Sequence, residues 1–222
     1  MQDADGLRLY QAMSTLRAVR RLRPDPIPDA VLRRLVEAAS WGPTGGNRQP
    51  WRVILVRDGE RKRALGELYR AVWSPYATRS RRELERAPEA ARARGAKALA
   101  AGDYLAAHFG EAPVIAIFCF NPTDMAITDE HLDRPSVVGG ASVYPSVQNF
   151  LLAARAEGLG CVLTTLLCQR EDEVRTLLRV PADWHTCAAI PLGRPLLRGH
   201  GPLARRPPEK LAFSDGWGSA FE

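Results

Sequence analysis

Apolar positions along this chain alternate between helical stripes and short continuous runs, and that alternation predicts the order of its layers. Leu7, Leu9, Tyr10, Met13 and Leu16 predict a helix over residues 6–16, which leads into the basic run Arg17-Ala18-Val19-Arg20-Arg21. Pro24, Pro26 and Pro28 stop it, and Asp29 starts a second amphipathic helix with Val31, Leu32, Leu35, Val36 and Ala39 on one face. Trp51-Arg52-Val53-Ile54-Leu55-Val56 reads as a strand apolar on both faces, as in the middle of a covered sheet. Residues 59–73 predict a helix through Leu65, Leu68, Val72 and Trp73. From Ala77 to about Phe109 the chain becomes rich in Arg, Glu and Ala, interrupted only by Pro88, Gly95 and Gly102. That is the pattern of an exposed helical excursion, either a solvated face or a lid over a site.

The later elements repeat the theme. Pro113–Phe120 is a second buried strand, followed by a loop with Asn121, Pro122 and Pro135. A long helix from Gly139 to Glu157 carries Val147, Phe150, Leu151, Leu152 and Ala154 and is apolar nearly all round, so other elements or another chain must cover it. Gly158-Leu159-Gly160 ends it, Cys161–Leu167 predicts a third strand, residues 170–179 a short helix and Thr186–Gly193 a fourth strand. The tail, with Arg205, Arg206, Pro207 and Pro208, is too polar and proline-rich to pack alone. Strands separated by helices, without repeats, predict a mixed sheet covered on both faces.

Between the second helix and the first strand lies Ala38-Ala39-Ser40-Trp41-Gly42-Pro43-Thr44-Gly45-Gly46-Asn47-Arg48-Gln49-Pro50-Trp51. Its paired glycines permit positive φ and a close approach to the backbone, while Thr44, Asn47 and Gln49 offer hydroxyl and amide groups able to hold a planar heterocycle. Composition alone leaves an ordinary loop as the alternative.

At 222 residues and 45% hydrophobic content the chain fits one domain, 1–222, or one subunit of an oligomer. The net charge of +6 comes almost wholly from arginine, with Lys62, Lys97 and Lys210 the only lysines. A positive field favours anionic partners such as phosphorylated cofactors; nucleic acid is the less supported reading, because no aromatic-interleaved basic stripe, zinc motif or helix-turn-helix accompanies the charge. Cys119, Cys161, Cys168 and Cys187 fall in or beside apolar runs without a C-x-x-C pair, which reads as buried free thiols in a reducing cytoplasm. The start MQDADGLRLYQ lacks a basic region followed by an apolar one, and no apolar run is long enough to span a bilayer, so a cytoplasmic protein without membrane contact is expected.

Familiar catalytic motifs are missing. There is no G-x-x-x-x-G-K-[ST], H-E-x-x-H, G-x-S-x-G or strand-to-helix G-x-G-x-x-G, and His108, His131, His185 and His200 stand far apart, so neither a metal site nor a nucleophilic triad is expected. The chemistry is expected from a cofactor. What remains is an order of motifs: Arg-x-x-Arg near the start, PTGGNRQPW, GASVYPSVQNFLLAARAEGLG running into GLGCVLTTL, PLGRP, then paired arginines. In that order, from about Met13 to Trp217, the chain resembles the nitroreductase family of FMN-dependent oxidoreductases.

The resemblance implies an α+β, three-layer α-β-α subunit with a mixed, mainly antiparallel central sheet. It further implies an intertwined homodimer with two FMN molecules at its interface. Arg17 would reach the FMN phosphate, Arg20 the pyrimidine edge of the ring, and Arg205 with Arg206 would complete the phosphate clamp from the tail. Planar guanidinium donors match phosphate oxygens, and positive charge beside the flavin N1–O2 edge stabilises an anionic reduced ring. Pro43, Thr44, Gly45 and Asn47, with Gln49 in the same signature, would line the flavin from the partner chain. Thr164, Thr165 and Leu166 fall where the family runs its backbone past flavin N5; a buried strand end is the plainer reading of those three. The sequence departs from the family pattern where Leu16-Arg17-Ala18-Val19-Arg20 stands for Arg-Arg-Ser-x-Arg, so Ala18 lacks the serine hydroxyl. Thr44 replaces the usual serine and keeps a hydroxyl, and Leu203-Ala204 precede Arg205 where another basic residue is frequent.

By the same resemblance the reaction is a ping-pong exchange in which NADH or NADPH reduces the flavin and a small-molecule oxidant, a nitroaromatic, quinone or activated alkene, then takes its place. No side chain is assigned as a catalytic acid; the flavin N5 carries the chemistry. Residues 75–110 and 121–138 would shape the pocket, with Trp73, Tyr76, Tyr104 and Phe109 as aromatic walls or core. Alternatives are a specialised branch, either a reductive dehalogenase or a flavin-consuming enzyme, and a non-catalytic FMN-sequestering protein.

Overall fold

A computed structural model describes residues 9–197 and 199–221, so Leu7 of the first predicted helix lies outside the described residues. The first helix, α1, is Leu9–Thr15, and α2 is Asp29–Ser40, whose apolar stripe buries Leu32, Leu35 and Ala39. Strand β1 is Trp51–Val56, β2 Val114–Phe120, β3 Gly160–Cys161 and β4 His185–Gly193. They form one sheet in the order β1-β2-β4-β3, and every pairing among them is antiparallel. No parallel pair exists among the described strands, so the mixed character expected from the sequence is absent there.

The alternation along β2 builds two cores at once. Val114, Ala116 and Phe118 join Leu35 and the long helix α5, Tyr144–Ala156, on one face. Ile115, Ile117 and Cys119 face the other way, toward helix α3, Gly59–Glu85, the end of α4, Glu89–His108, and α6, Glu171–Leu178. Side chains of a strand alternate between faces, so one fully buried strand between helical layers yields the α-β-α sandwich. Phe118 sits at its centre, 5.8 Å from Trp51 and edge-on to Phe150 at 5.3 Å between ring centroids.

Three expectations change. β1 lies at the edge of the sheet, with Arg52 exposed and Val53, Ile54 and Leu55 only half-buried; the double-sided apolar pattern belongs to β2 and β4. The predicted third strand over Cys161–Leu167 ends after Cys161: Thr164 makes one isolated bridge to Ala189, and Leu166–Arg170 winds into a 3-10 turn. Propensity over that apolar run is outweighed by the Thr164 hydroxyl, which accepts from the Leu166 N–H and bends the chain. In the excursion, only the region of Pro88 breaks the helix, and α3 itself continues through Pro75 to Glu85. Gly102 lies inside α4 because a Cβ there would meet the Trp73 ring at 2.1 Å; the absent side chain allows the two helices to close. Trp73 Nε1 then donates to Asp103 at 2.9 Å, and Arg81 binds the same carboxylate at 2.6 Å.

One face of α5 is covered by its own chain, burying Ser146, Val147, Phe150, Leu151 and Ala154, while Tyr144 on the same helix is exposed. Cys119, Cys161 and Cys187 are buried free thiols as expected, and burial pushes the first two up to about 11 and about 12. Cys168 is only half-buried. Among the described residues no helix is long and apolar enough to cross a membrane.

Candidate active site

The segment after α1 is pinned to the sheet like a short extra strand. Val19 N–H donates to Cys161 O at 2.9 Å, Arg23 N–H to Arg194 O at 2.8 Å, and Leu22 bridges Pro195. Val19 is buried by this docking and Arg20 half-buried, whereas Arg17 and Arg21 stay at the surface. Two cavities open from the segment. The first, about 370 Å³, is lined by Arg17, Ala18, Arg20 and Arg21 together with Arg94 and Lys97 of α4. The second, about 270 Å³, is lined by Arg20, Tyr69, Trp73, Tyr76, Leu105 and the backbone bend of residues 162–166. Arg20 belongs to both, so a basic compartment and an aromatic one meet at a single residue.

Thr164 holds the bend in place through reciprocal backbone hydrogen bonds with Ala189, at 3.0 and 2.8 Å. Thr165 follows, and its N–H has no hydrogen-bond partner among the described residues. Tyr69, a buried residue, lines the second cavity beside Thr164 and Arg20. Burial is the largest influence on its pKa and raises it, against the opposing pull of the Thr164 hydrogen bond and the Arg20 charge. Such a site offers cations at one end and, at the other, a slot with aromatic walls and a polar backbone edge that includes Thr165.

Of the predicted site residues, the structure therefore assembles Arg17, Ala18, Arg20, Thr164, Thr165 and Leu166. The others stand apart within this chain. Pro43, Thr44, Gly45, Asn47 and Gln49 line neither cavity. Their loop is nonetheless carefully built: Gly45 N–H donates to buried Ser142 at 3.0 Å, Gln49 N–H to the Thr44 hydroxyl at 3.1 Å, and the Gln49 amide to Asn47 Oδ1 at 3.2 Å. Gly46, Asn47 and Gln49 all adopt positive φ, of 58°, 53° and 51°. For glutamine that is an unfavourable conformation, and here it is held at an exposed tip. Arg205 and Arg206 are exposed on the tail, where among the described residues Arg205 Nη1 donates only to the neighbouring Ala204 carbonyl, at 2.9 Å.

Among the aromatic candidates, Trp73 and Tyr76 line the second cavity, with centroids 5.3 Å apart. Phe109 does not: it is fully buried and stacks on Tyr69 at 4.3 Å. Tyr104 lies instead beneath Arg21, whose guanidinium carbon is 4.0 Å from the ring centroid. Tyr69 itself was not expected, although it stands one helical turn before Trp73 and two before Tyr76 on the same stripe. Arg94 and Lys97 were hidden in a charge run that reads as a solvated face.

The subunit is thus an α-β-α sandwich in which a basic cavity and an aromatic one share Arg20. The chain belongs to the nitroreductase family, whose family model matches residues 15–194. It is 28% identical to an NADH dehydrogenase of Thermus thermophilus, over 89% of this chain and 91% of the relative. It is 31% identical to a 5,6-dimethylbenzimidazole synthase of Rhodospirillum rubrum, over 81% of this chain and 78% of that protein. Its fold matches a structure of iodotyrosine deiodinase bound to FMN and 3-iodo-L-tyrosine with a TM-score of 0.67 at 22% identity, covering 90% of this chain and 96% of the other.

Proposed function

We propose that this protein is an FMN-dependent oxidoreductase that uses NADH or NADPH to reduce a nitroaromatic, quinone or activated alkene. The observation that carries the reading is the meeting of the two cavities at Arg20, which suits a ligand with a phosphate at one end and a flat ring at the other. The residues fit FMN chemically. Arg17 and Arg21 match a phosphate, Arg20 sits where it can face an electron-rich ring edge, and the exposed Thr165 N–H has no partner among the described residues. Bound there, FMN would supply hydride acceptance and donation in two successive half-reactions.

The protein's own contribution is placement. Trp73 and Tyr76 bound the slot on the α3 side, the 162–166 bend bounds it on the sheet side, and both keep water from the ring. Residues 75–110 act as a lid within a single domain of 1–222. The loop Pro43–Gln49 completes the site in a homodimer, supplying Pro43, Thr44, Gly45, Asn47 and Gln49 to the partner's flavin, and Arg205 and Arg206 close the phosphate end. Two features support assembly. The loop spends backbone strain on an exposed tip, and an unusual set of apolar side chains is exposed, including Tyr10 at 84%, Trp41 at 71% and Trp217 at 94%. A cytoplasmic location, with no nucleic-acid or membrane partner, belongs to the same reading.

The test is a spectrum followed by rapid mixing. The purified protein is expected to be yellow, to sediment as a dimer, and to bleach within seconds on mixing with NADH or NADPH under anaerobic conditions. A flavin-loaded protein that does not bleach over minutes would be a flavin store. A second reading, a flavin-consuming branch, draws on the 31% identity to the dimethylbenzimidazole synthase. It predicts irreversible loss of the flavin spectrum when the reduced protein meets oxygen, where the reductase reading predicts full return.

A further inference from the structure

Arg94 and Lys97 are three residues apart on α4, so both project from one face of that helix, and both line the cavity that contains Arg17, Arg20 and Arg21. Some arginines elsewhere are paired, Arg34 with Glu157, Arg81 with Asp103, Arg92 with Glu89 and Arg170 with Glu173, while others stand singly among the described residues; here several cations converge on one cavity. None of the five cations of the cavity is paired with a described carboxylate, and no acidic residue lines it. Converging like charges oppose the close approach of α4 to the Arg17–Arg21 segment. That approach is nevertheless made, and Tyr104 of α4 holds Arg21 over its ring. The charge is more than the roughly two negative charges of one phosphate monoester would neutralise.

We propose that Arg94 and Lys97 bind a phosphate group across the seam between α4 and the Arg17–Arg21 segment, so that a phosphorylated ligand latches the α3–α4 hairpin onto the body of the protein. The proposal rests on the flavin reading only for the identity of one phosphate source, FMN; the other is a phosphorylated nicotinamide dinucleotide. By linkage, whatever phosphate draws α4 down is itself bound more tightly because α4 is there. The opposite face of α4, where Arg92 lines the groove toward α3, takes no part.

The experiment uses the full chain stripped of flavin. Affinities for FMN and riboflavin are read by flavin fluorescence, and limited proteolysis near the Arg86–Pro88 break is followed with inorganic phosphate, FMN, riboflavin, NADH or NADPH present. Three proteins are compared: wild type, Arg94→Ala/Lys97→Ala, and the charge-keeping Arg94→Lys/Lys97→Arg. The alanine variant is expected to lose about tenfold in affinity for FMN, less than a fully formed charge-assisted contact because Arg94 and Lys97 are exposed and solvent screens them, while riboflavin binding is unchanged. Protection of the hairpin by FMN should vanish with it and return in the charge-keeping variant. If the alanine change removes protection by NADPH but not by FMN, the latch stands and the dinucleotide supplies the phosphate. If wild type binds neither flavin, yet inorganic phosphate protects wild type and not the alanine variant, the flavin reading fails and the latch survives. Unaltered FMN affinity, together with unaltered protection by FMN, inorganic phosphate and both dinucleotides, overturns the proposal. Arg94→Ala/Arg92→Ala serves as a control for Lys97, since it removes equal charge but spares that side chain.

Discussion

Two polar clusters in this molecule have opposite electrostatic designs. At the foot of β4, the Glu171 carboxylate accepts from the Thr186 N–H at 2.6 Å and the Thr186 hydroxyl at 2.9 Å, and its other oxygen lies 2.9 Å from His185 Nδ1. Each partner there is satisfied within the chain. Around Arg17, five cations share a cavity with no described carboxylate paired to any of them. The Glu171 cluster is held by hydrogen bonds inside the chain, whereas Arg17, Arg21, Arg94 and Lys97 are exposed, and their like charges repel at close range. One cluster closes on itself, and the other leaves its positive charge available to an anion.

The largest expected effect breaks the satisfied cluster. Glu171→Ala would leave the Thr186 N–H and hydroxyl without their acceptor and should cost about 2 kcal/mol of folding stability in a urea melt, with little change in flavin affinity. Arg17→Ala should do the reverse. Loss of one charge-assisted phosphate contact should weaken FMN roughly thirtyfold, about 2 kcal/mol, with riboflavin affinity and the urea midpoint unchanged. If Arg17→Ala lowers stability instead, the cavity is a structural cluster after all and the contrast collapses.

Smaller effects sharpen the same contrast. Arg205→Ala should weaken FMN by only a few-fold, because its side chain is exposed; unchanged affinity by titration would remove it from the proposed phosphate clamp. The smallest effect is in pH dependence. Burial opposes ionisation of Glu171, but its hydrogen bonds with His185 and Thr186 outweigh that and hold its carboxyl below the usual glutamate value. The resulting stability is fully present above the ordinary carboxylate range and is lost as pH falls through the lowered value. Glu171→Gln should therefore flatten the acid limb of the stability profile, and an unaltered limb in urea melts at pH 3 to 6 would show that Glu171 is not its source.

Much of the fold was legible because burial leaves a period. The alternation along Val114–Phe120 and the stripe Leu32, Leu35, Ala39 are written in residue type, and they locate the sheet and its covering helix. The strand expected at Cys161–Leu167 was misread because an apolar run does not encode the Thr164 hydroxyl turning back on Leu166. β1 looked central because its residues pack toward both cores, yet edge position is a matter of strand order, which no local pattern records.

The candidate site divides in the same way. Sequence alone determined the ordered motifs, the family and the chemical types at Arg17, Arg20 and Thr164–Leu166, because those properties belong to single residues and their spacing. Only the tertiary structure decided that Tyr69 and Leu105 wall the aromatic cavity, that Phe109 is core, and that Arg94 and Lys97 share a cavity with Arg17. Those facts depend on how far α4 folds back, which is set by Gly102 admitting Trp73 and by Asp103 binding Trp73 and Arg81. Residues more than 70 positions apart along the chain meet there because two helices close on each other, and long-range closure is the one kind of information that periodicity does not carry.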